Sequence, residues 1–229
     1  MLIPSEIANL LTWWDASQES FSDSDPVPQL TDFSGNGHHA LATGELQPVY
    51  ITSAIEGQPA FRFDGTKHLN ATGAFPATVN DYSVFIVFRT SGTGNGTYLF
   101  GGSDVASDKW LALKAYTTPR LVFESCEVGG GGNATINADW FNGDPMLASV
   151  VNDSGTIDFY RNGVFGGQTT TTCAYELPSP ISIAAFYYPP VTYWGIYTGD
   201  IAEMVVYSRP LNSAERAQLT AYFFNKYSI

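Results

Sequence analysis

The side chains best suited to chemistry are aromatic. Tyr187, Tyr188, Tyr193, Trp194 and Tyr197 crowd into one short stretch around Pro189-Pro190. Aromatic faces stack on the apolar C–H face of a sugar, and tyrosine hydroxyls reach its hydroxyl groups. The two prolines would stiffen such a platform and lower the entropy lost when a ligand docks. The same rings would serve to cap an apolar core or to fill an oligomer interface, where Tyr and Trp are enriched. A second candidate is acidic: Asp104, Asp108 and Asp200 carry the oxygen ligands that calcium takes, and are equally ordinary loop acids. Asp32 and Asn36 flank a tight Ser-Gly-Asn-Gly turn, which reads either as an Asx turn or as closely spaced calcium ligands.

Bond-breaking machinery is harder to find. Glu124 and Glu127 are the nearest approach to a carboxylate pair, but a spacing of three on a strand points them to opposite faces. A nucleophilic site needs a histidine near its nucleophile. His38, His39 and His68 fall in turn regions and read as solvated loop side chains rather than metal ligands. No catalytic residue is expected. Cys126 and Cys173, the two cysteines, read either as buried thiols or as one disulfide between neighbouring strands.

The elements that must position these residues are strands. The 229-residue chain is rich in Gly, Thr, Ser, Tyr and Val and poor in charge, which suits a sheet protein with many turns and argues against disorder. Its formal net charge is −12, from 22 acids against 10 bases, so neither nucleic acid nor an anionic membrane is expected as a partner. No apolar stretch is long enough to span a bilayer. The N-terminal residues lack the basic start and apolar run of a signal peptide, so either a leader has been removed or the protein is not exported by that route. Tyr82–Thr90 is almost wholly apolar and reads as a central strand covered on both faces. Asn162-Gly163 reads as a primed hairpin turn, and Asp64-Gly65 as another. In Leu11–Ser17, Trp13 and Trp14 point to opposite faces, one to the core and one under a loop. Phe61 and Phe63 share a face while Arg62 meets water. The chain closes with a buried strand over Ile201–Tyr207, a corner at Arg209-Pro210, and a helix. That helix starts at Asn212 with Glu215 three residues on, a capping pair, and places Ala214, Ala217, Ala221 and Phe224 on one face.

These segments, in this order, resemble the laminin-G-like branch of the concanavalin A-like jelly rolls. The opening Trp13-Trp-Asp-Ala16, then Asp32-Phe-Ser-Gly-Asn-Gly37, Phe61-Arg-Phe-Asp-Gly65 and Phe159-Tyr-Arg-Asn-Gly-Val164 match that family's motifs. The closing Gly199-Asp-Ile-Ala-Glu203 with Arg209-Pro-Leu-Asn212 is similar to its terminal signature. The likeness runs from about residue 11 to the end, with Leu30 where the family carries a tryptophan. It implies an all-β fold: a two-sheet antiparallel jelly-roll sandwich with a short C-terminal helix, one domain over 1–229. It also implies a non-enzymatic carbohydrate-binding or structural module, of the kind found on virion surfaces as phage tail fibre, receptor-binding protein or capsid decoration, and in adhesins. Its partners would be host cell-surface polysaccharide and other virion proteins, with a homo-trimer as one assembly and calcium at the sheet rim as the one cofactor. The alternatives are a jelly-roll polysaccharide hydrolase or lyase, and a purely structural oligomer. Jelly-roll hydrolases carry Glu-x-Asp-x-x-Glu or a close variant on one strand, and no such run occurs here.

Overall fold

A computed structural model describes residues 2–74, 81–91, 96–104, 109–116, 120–127, 132–137, 143–170, 181–188 and 192–229; at 104, 109, 116, 120, 124–127 and 132–137 it describes the backbone. In chain order the strands are β1 (Leu10–Asp15), β2 (Gln29–Leu30), β3 (Ala40–Leu41), β4 (Val49–Ile55), β5 (Gln58–Asp64), β6 (Leu69–Ala71), β7 (Tyr82–Thr90), β8 (Thr97–Asp104) and β9 (Lys109–Tyr116). Then come β10 (Arg120–Glu127), β11 (Gly132–Asn137), β12 (Met146–Asp153), β13 (Thr156–Arg161), β14 (Val164–Thr170), β15 (Ile181–Ile183), β16 (Phe186–Tyr188), β17 (Thr192–Trp194), β18 (Thr198–Tyr207) and the helix α1 (Ser213–Tyr227). Among the described residues they form two sheets. The first runs β14-β13-β12-β7-β18-β5-β4, with β1 also on β18; the second runs β11-β10-β9-β8-β15-β6-β3-β2, with the β16–β17 hairpin attached at β8. The strand pairs are antiparallel except where β16 meets β8. This is the two-sheet jelly-roll sandwich with a C-terminal helix.

Alternation explains the layers. Tyr82, Val84, Ile86 and Phe88 of β7 point into the sandwich, where they meet Phe100, Leu113 and Phe123 of the second sheet. Phe85 and Val87 point the other way, and α1 covers them, so β7 is buried on both faces. Each such side chain contributes roughly 1.5–3 kcal/mol by leaving water. Trp14 joins the interior, whereas Trp13 lies in the layer beneath α1, with loop residue Phe33 edge-on at 6.3 Å.

Two sequence expectations need correction. The helix turns Leu219, Tyr222, Phe223 and Tyr227 to the sheet and leaves Ala214, Ala217 and Ala221 exposed. Area decides this: the large rings remove more apolar surface from water than the alanine stripe does. Asp64-Gly65 is no hairpin turn. β5 ends there and the chain crosses to the second sheet, with the Asp64 carboxylate accepting the Thr66 N–H at 3.0 Å. The hairpin closes instead at Glu56-Gly57, both at positive φ (47° and 80°).

A bulge in β18 sets the outer face. Ile201 pairs with Phe88 but Glu203 pairs with Val87, so one extra residue sits between them. The bulge reverses the in–out alternation. Ile201, Met204 and Val206 point inward, while Asp200, Ala202 and Glu203 face outward.

Candidate functional site

The aromatic segment forms the β16–β17 hairpin, with Phe186 opposite Trp194, Tyr187 opposite Tyr193 and Tyr188 opposite Thr192. Neighbours along a strand face opposite ways, so the rings separate into two sets. Tyr188 and Trp194 stack at 5.3 Å with planes 6° apart, 39% and 53% exposed. Tyr187 and Tyr193 lie 5.4 Å apart on the other side and are half-buried. Tyr193 rests on the His68 ring at 3.9 Å, and its hydroxyl accepts a hydrogen bond from Asn70 Nδ2 at 2.9 Å. Asn70 in turn accepts from Ser182 Oγ at 2.5 Å. The hairpin is therefore tied to the outer face of the second sheet through β6 and β15.

Two backbone features hold it there. Ala184, buried at the bend between β15 and β16, has φ of +65°, a left-handed conformation that costs an alanine about 1–2 kcal/mol. Its N–H donates to Leu99 O and its carbonyl accepts from Tyr197 N, each at 2.8 Å. Gly101 in β8 lacks the Cβ that would stand 2.8 Å from the Phe186 ring, so Phe186 settles onto the sheet, 5.0 Å from Tyr98.

Tyr197 does not belong to the platform. It is fully buried in the sandwich interior, 6.5 Å from Phe63, with its hydroxyl 3.2 Å from Thr90 Oγ1. Burial pushes that phenol far up. Two residues, Gly195 and Ile196, separate it from Trp194, which suffices for the chain to pass from the outer hairpin into the core. Pro189-Pro190 lie outside the described residues.

Of the acidic set, Asp108 lies outside the described residues and Asp104 is placed only by its backbone in β8. Asp200 is not a hydrated rim acid. Its side chain is 3% exposed and pairs with two arginines: Arg62 Nε and Nη2 donate to it at 2.8 and 3.1 Å, and Arg89 Nη2 at 2.6 Å. Two guanidiniums occupy its oxygens and repel any cation. Asp200 bonding also holds the Arg62 guanidinium above its ordinary range. Arg62, expected to face water alone, and Arg89, at the end of an apolar strand, were not singled out in the sequence.

Asp32 also turns its oxygens on hydrogen-bond donors. Oδ1 accepts from Trp13 N and Ser34 N, and Oδ2 from Ser34 Oγ and His38 N, all within 2.8–3.0 Å. These donors hold its carboxyl below the usual range although burial opposes them. Asn36 Nδ2 donates to the Leu10 and Leu11 carbonyls. The turn is an Asx turn that clamps β1. Among the described residues, no three His, Cys, Asp or Glu side chains gather as metal ligands.

The histidines are not free loop side chains. His38 and His39 are half-buried, and His39 Nδ1 accepts from Asp32 N at 3.0 Å. His68 is buried with neither ring nitrogen hydrogen-bonded, and desolvation lowers its pKa. The side chains of Glu124, Cys126 and Glu127 lie outside the description, as does Cys173.

One pair of acids does lie deep and side by side. Lys226 Nζ bridges Asp15 and Glu203 at 2.7 Å each. Trp13 Nε1, Tyr222 OH and Tyr227 OH also donate to Glu203, at 2.7, 3.0 and 2.9 Å. The cluster is sealed beneath α1, so substrate cannot approach it; it fastens the helix to β1 and β18.

No protein-family model matches the chain, and no curated protein matches it. Solved structures do match. Domain 4 of AbnA, a GH43 extracellular arabinanase from Geobacillus stearothermophilus, in complex with arabinotriose, gives a TM-score of 0.64 at 17% identity, over 93% of this chain and 98% of that one. The botulinum neurotoxin serotype G binding domain gives 0.69 at 12% identity, over 93% of this chain and 51% of its own. The binding domain of Paraclostridial Mosquitocidal Protein 1 gives 0.66 at 15% identity, over 95% and 53%. The chain spans about half the length of the two toxin domains. At these identities the likeness establishes the β-sandwich fold.

Proposed function

We propose that the chain is a non-enzymatic carbohydrate-binding module whose contact surface is the β16–β17 hairpin. The observation that carries this reading is the exposed Tyr188–Trp194 stack. The two rings stack nearly parallel on a hairpin held by its strand pairing and by Tyr193 against His68, so little entropy is lost when a sugar face settles on them. Asn70 and Ser182 brace the hairpin from the sheet and add no freedom of their own. The arabinotriose in the AbnA domain and the binding role in the toxin names support the same class of activity on the same fold. The ligand is polysaccharide at a cell surface, and the setting we assign is the surface of a virion or another extracellular particle, as the motif resemblance implies.

A glycan array with the wild type, Trp194→Ala and Tyr188→Ala tests the reading. Base–aromatic and aromatic stacking lose roughly 1–3 kcal/mol per ring on alanine substitution, so each variant should bind at least about fivefold more weakly with its fold unchanged by circular dichroism. Wild-type silence on every glycan, or full retention of binding by Trp194→Ala, would refute the assignment. Gene context answers the virion part separately: tail or capsid genes beside this one are expected.

A further inference from the structure

A second surface lies where β5, β18 and β7 run side by side beyond the end of the α1 layer. Arg62, Asp200 and Arg89 stand abreast there, because Asp200 pairs in register with both arginines. With Thr90, Ser91 and Gly143 they line a cleft of about 460 Å³. Two cations meet one carboxylate, so the cluster keeps a net positive charge on a chain whose total is −12. The next carboxylate that Arg62 feels is Asp23, an exposed acid already bound to Thr52 N–H and Oγ1.

A guanidinium carries five N–H donors. Arg62 turns two of its own on Asp200, and Arg89 one. Neither has any other hydrogen-bond partner among the described residues. Their side chains are 46% and 30% exposed, against 3% for Asp200. A closed structural ion pair would match charge with charge and bury both partners. Here the buried acid orients two half-open forks, and the donors left over border the cleft. Such paired forks favour planar oxyanions, which they hold bidentately.

We infer that this cleft receives the carboxylate of an acidic sugar unit of the uronic-acid type. The inference rests on the carbohydrate reading above and narrows it from glycans in general to anionic ones. Ser91 also lines the cleft, and its hydroxyl suits the ring hydroxyls that accompany a sugar carboxylate, whereas the Thr90 hydroxyl turns inward to Tyr197. Trp194 and Asp200 are six residues apart, so no more than about 20 Å of chain joins them. The hairpin lies outside the second sheet and the cleft outside the first, with Tyr197 passing through the core between them, so the two are separate contact points on the sandwich.

The test has two arms. In the first, the Arg Nε–Hε signals of ¹⁵N-labelled protein are followed during titration with sodium glucuronate, with glucose and sodium acetate as controls at matched ionic strength. Glucuronate should move the Arg62 and Arg89 signals, glucose should not, and acetate should move them less. In the second, calorimetry compares polygalacturonate with its methyl-esterified, uncharged form. Arg89→Gln leaves Asp200 bidentate to Arg62, and Arg62→Lys keeps the charge, so both should fold. Each should weaken polygalacturonate binding at least about tenfold, the scale of a lost charged hydrogen bond, and leave the esterified polymer unaffected. Motionless arginine signals, equal shifts with acetate and glucuronate, or polygalacturonate binding unchanged by Arg89→Gln would each overturn the assignment. If the arginine results fail while Trp194→Ala still abolishes binding of a neutral glycan, the cleft is refuted and the carbohydrate reading stands. If Trp194→Ala has no effect on any glycan, the carbohydrate reading falls with it.

Discussion

Glu203 shows how one residue couples the fold to pH. Burial and the adjacent Asp15 carboxylate push it up to about 7 from an ordinary 4.5, against the pull of Lys226 and Trp13. A carboxyl raised in the folded state keeps its proton after the unfolded chain has lost it. It therefore favours folding below pH 4.5, and that contribution disappears as pH rises through 7. Glu203→Gln cannot ionise. Its stability relative to the wild type should improve between pH 5 and pH 8, by on the order of 3 kcal/mol at most, by urea unfolding at each pH. A stability difference that stays flat across that range would contradict the raised carboxyl. His68 acts at the other end. Its pKa is lowered, so the unfolded chain takes up a proton first and stability falls as pH drops below about 6.5. Comparing variant with wild type at the same pH cancels that second slope. At this scale the sequence was legible for residues whose role is local. The Asn212–Glu215 capping pair read correctly, since its partners sit within a few positions, and the Asx-turn reading of Asp32 was legible from Ser34 two residues on, though not its bond to Trp13 N. The buried, unpartnered state of His68 was not legible, because Tyr193 covers it from 125 positions away in the chain.

The closing helix is the clearest case at the level of elements. Asn212 Oδ1 accepts from the N–H groups of Ala214 and Glu215, at 2.9 and 3.0 Å, while Glu215 Oε2 accepts from Asn212 N and Arg209 closes on the same carboxylate. Asn212→Ala should cost about 1 kcal/mol in urea unfolding, with the slope unchanged. No measurable loss would mean that the Arg209–Glu215 pair holds the helix start alone. Where the helix begins was readable, but which face it buries was not. Ala214, Ala217 and Ala221 have the right period, yet Leu219, Tyr222, Phe223 and Tyr227 share another stripe and carry more area. The aromatic hairpin teaches the same lesson. Its composition was plain in the sequence, and the structure sorts its rings: Tyr188 and Trp194 outward, Tyr187 and Tyr193 onto the sheet, Tyr197 into the core. Sorting depends on Ala184, where the chain bends between strands, and on Gly101, which leaves room for Phe186.

Across the whole molecule, an excess of twelve negative charges opposes compaction. Raising NaCl from about 10 to 150 mM shortens the Debye length to roughly 8 Å and should raise the Tm in scanning calorimetry. A falling Tm would mean that the Lys226 and Arg62 ion pairs outweigh the general repulsion. Among the described residues no helix is long and apolar enough to cross a membrane. By itself the sequence determined the all-β class, the buried strands β7 and β18 and the Asn162-Gly163 turn, because each rests on alternation, burial or a turn type confined to a few neighbouring residues, while the jelly-roll arrangement was implied by the motif resemblance. Only the tertiary structure decided what faces what. The single extra residue at the β18 bulge reverses the alternation, brings Asp200 out between Arg62 and Arg89, and sends Glu203 under α1. Such a reversal arises from the pairing of strands distant in the chain, and no period within one strand records it.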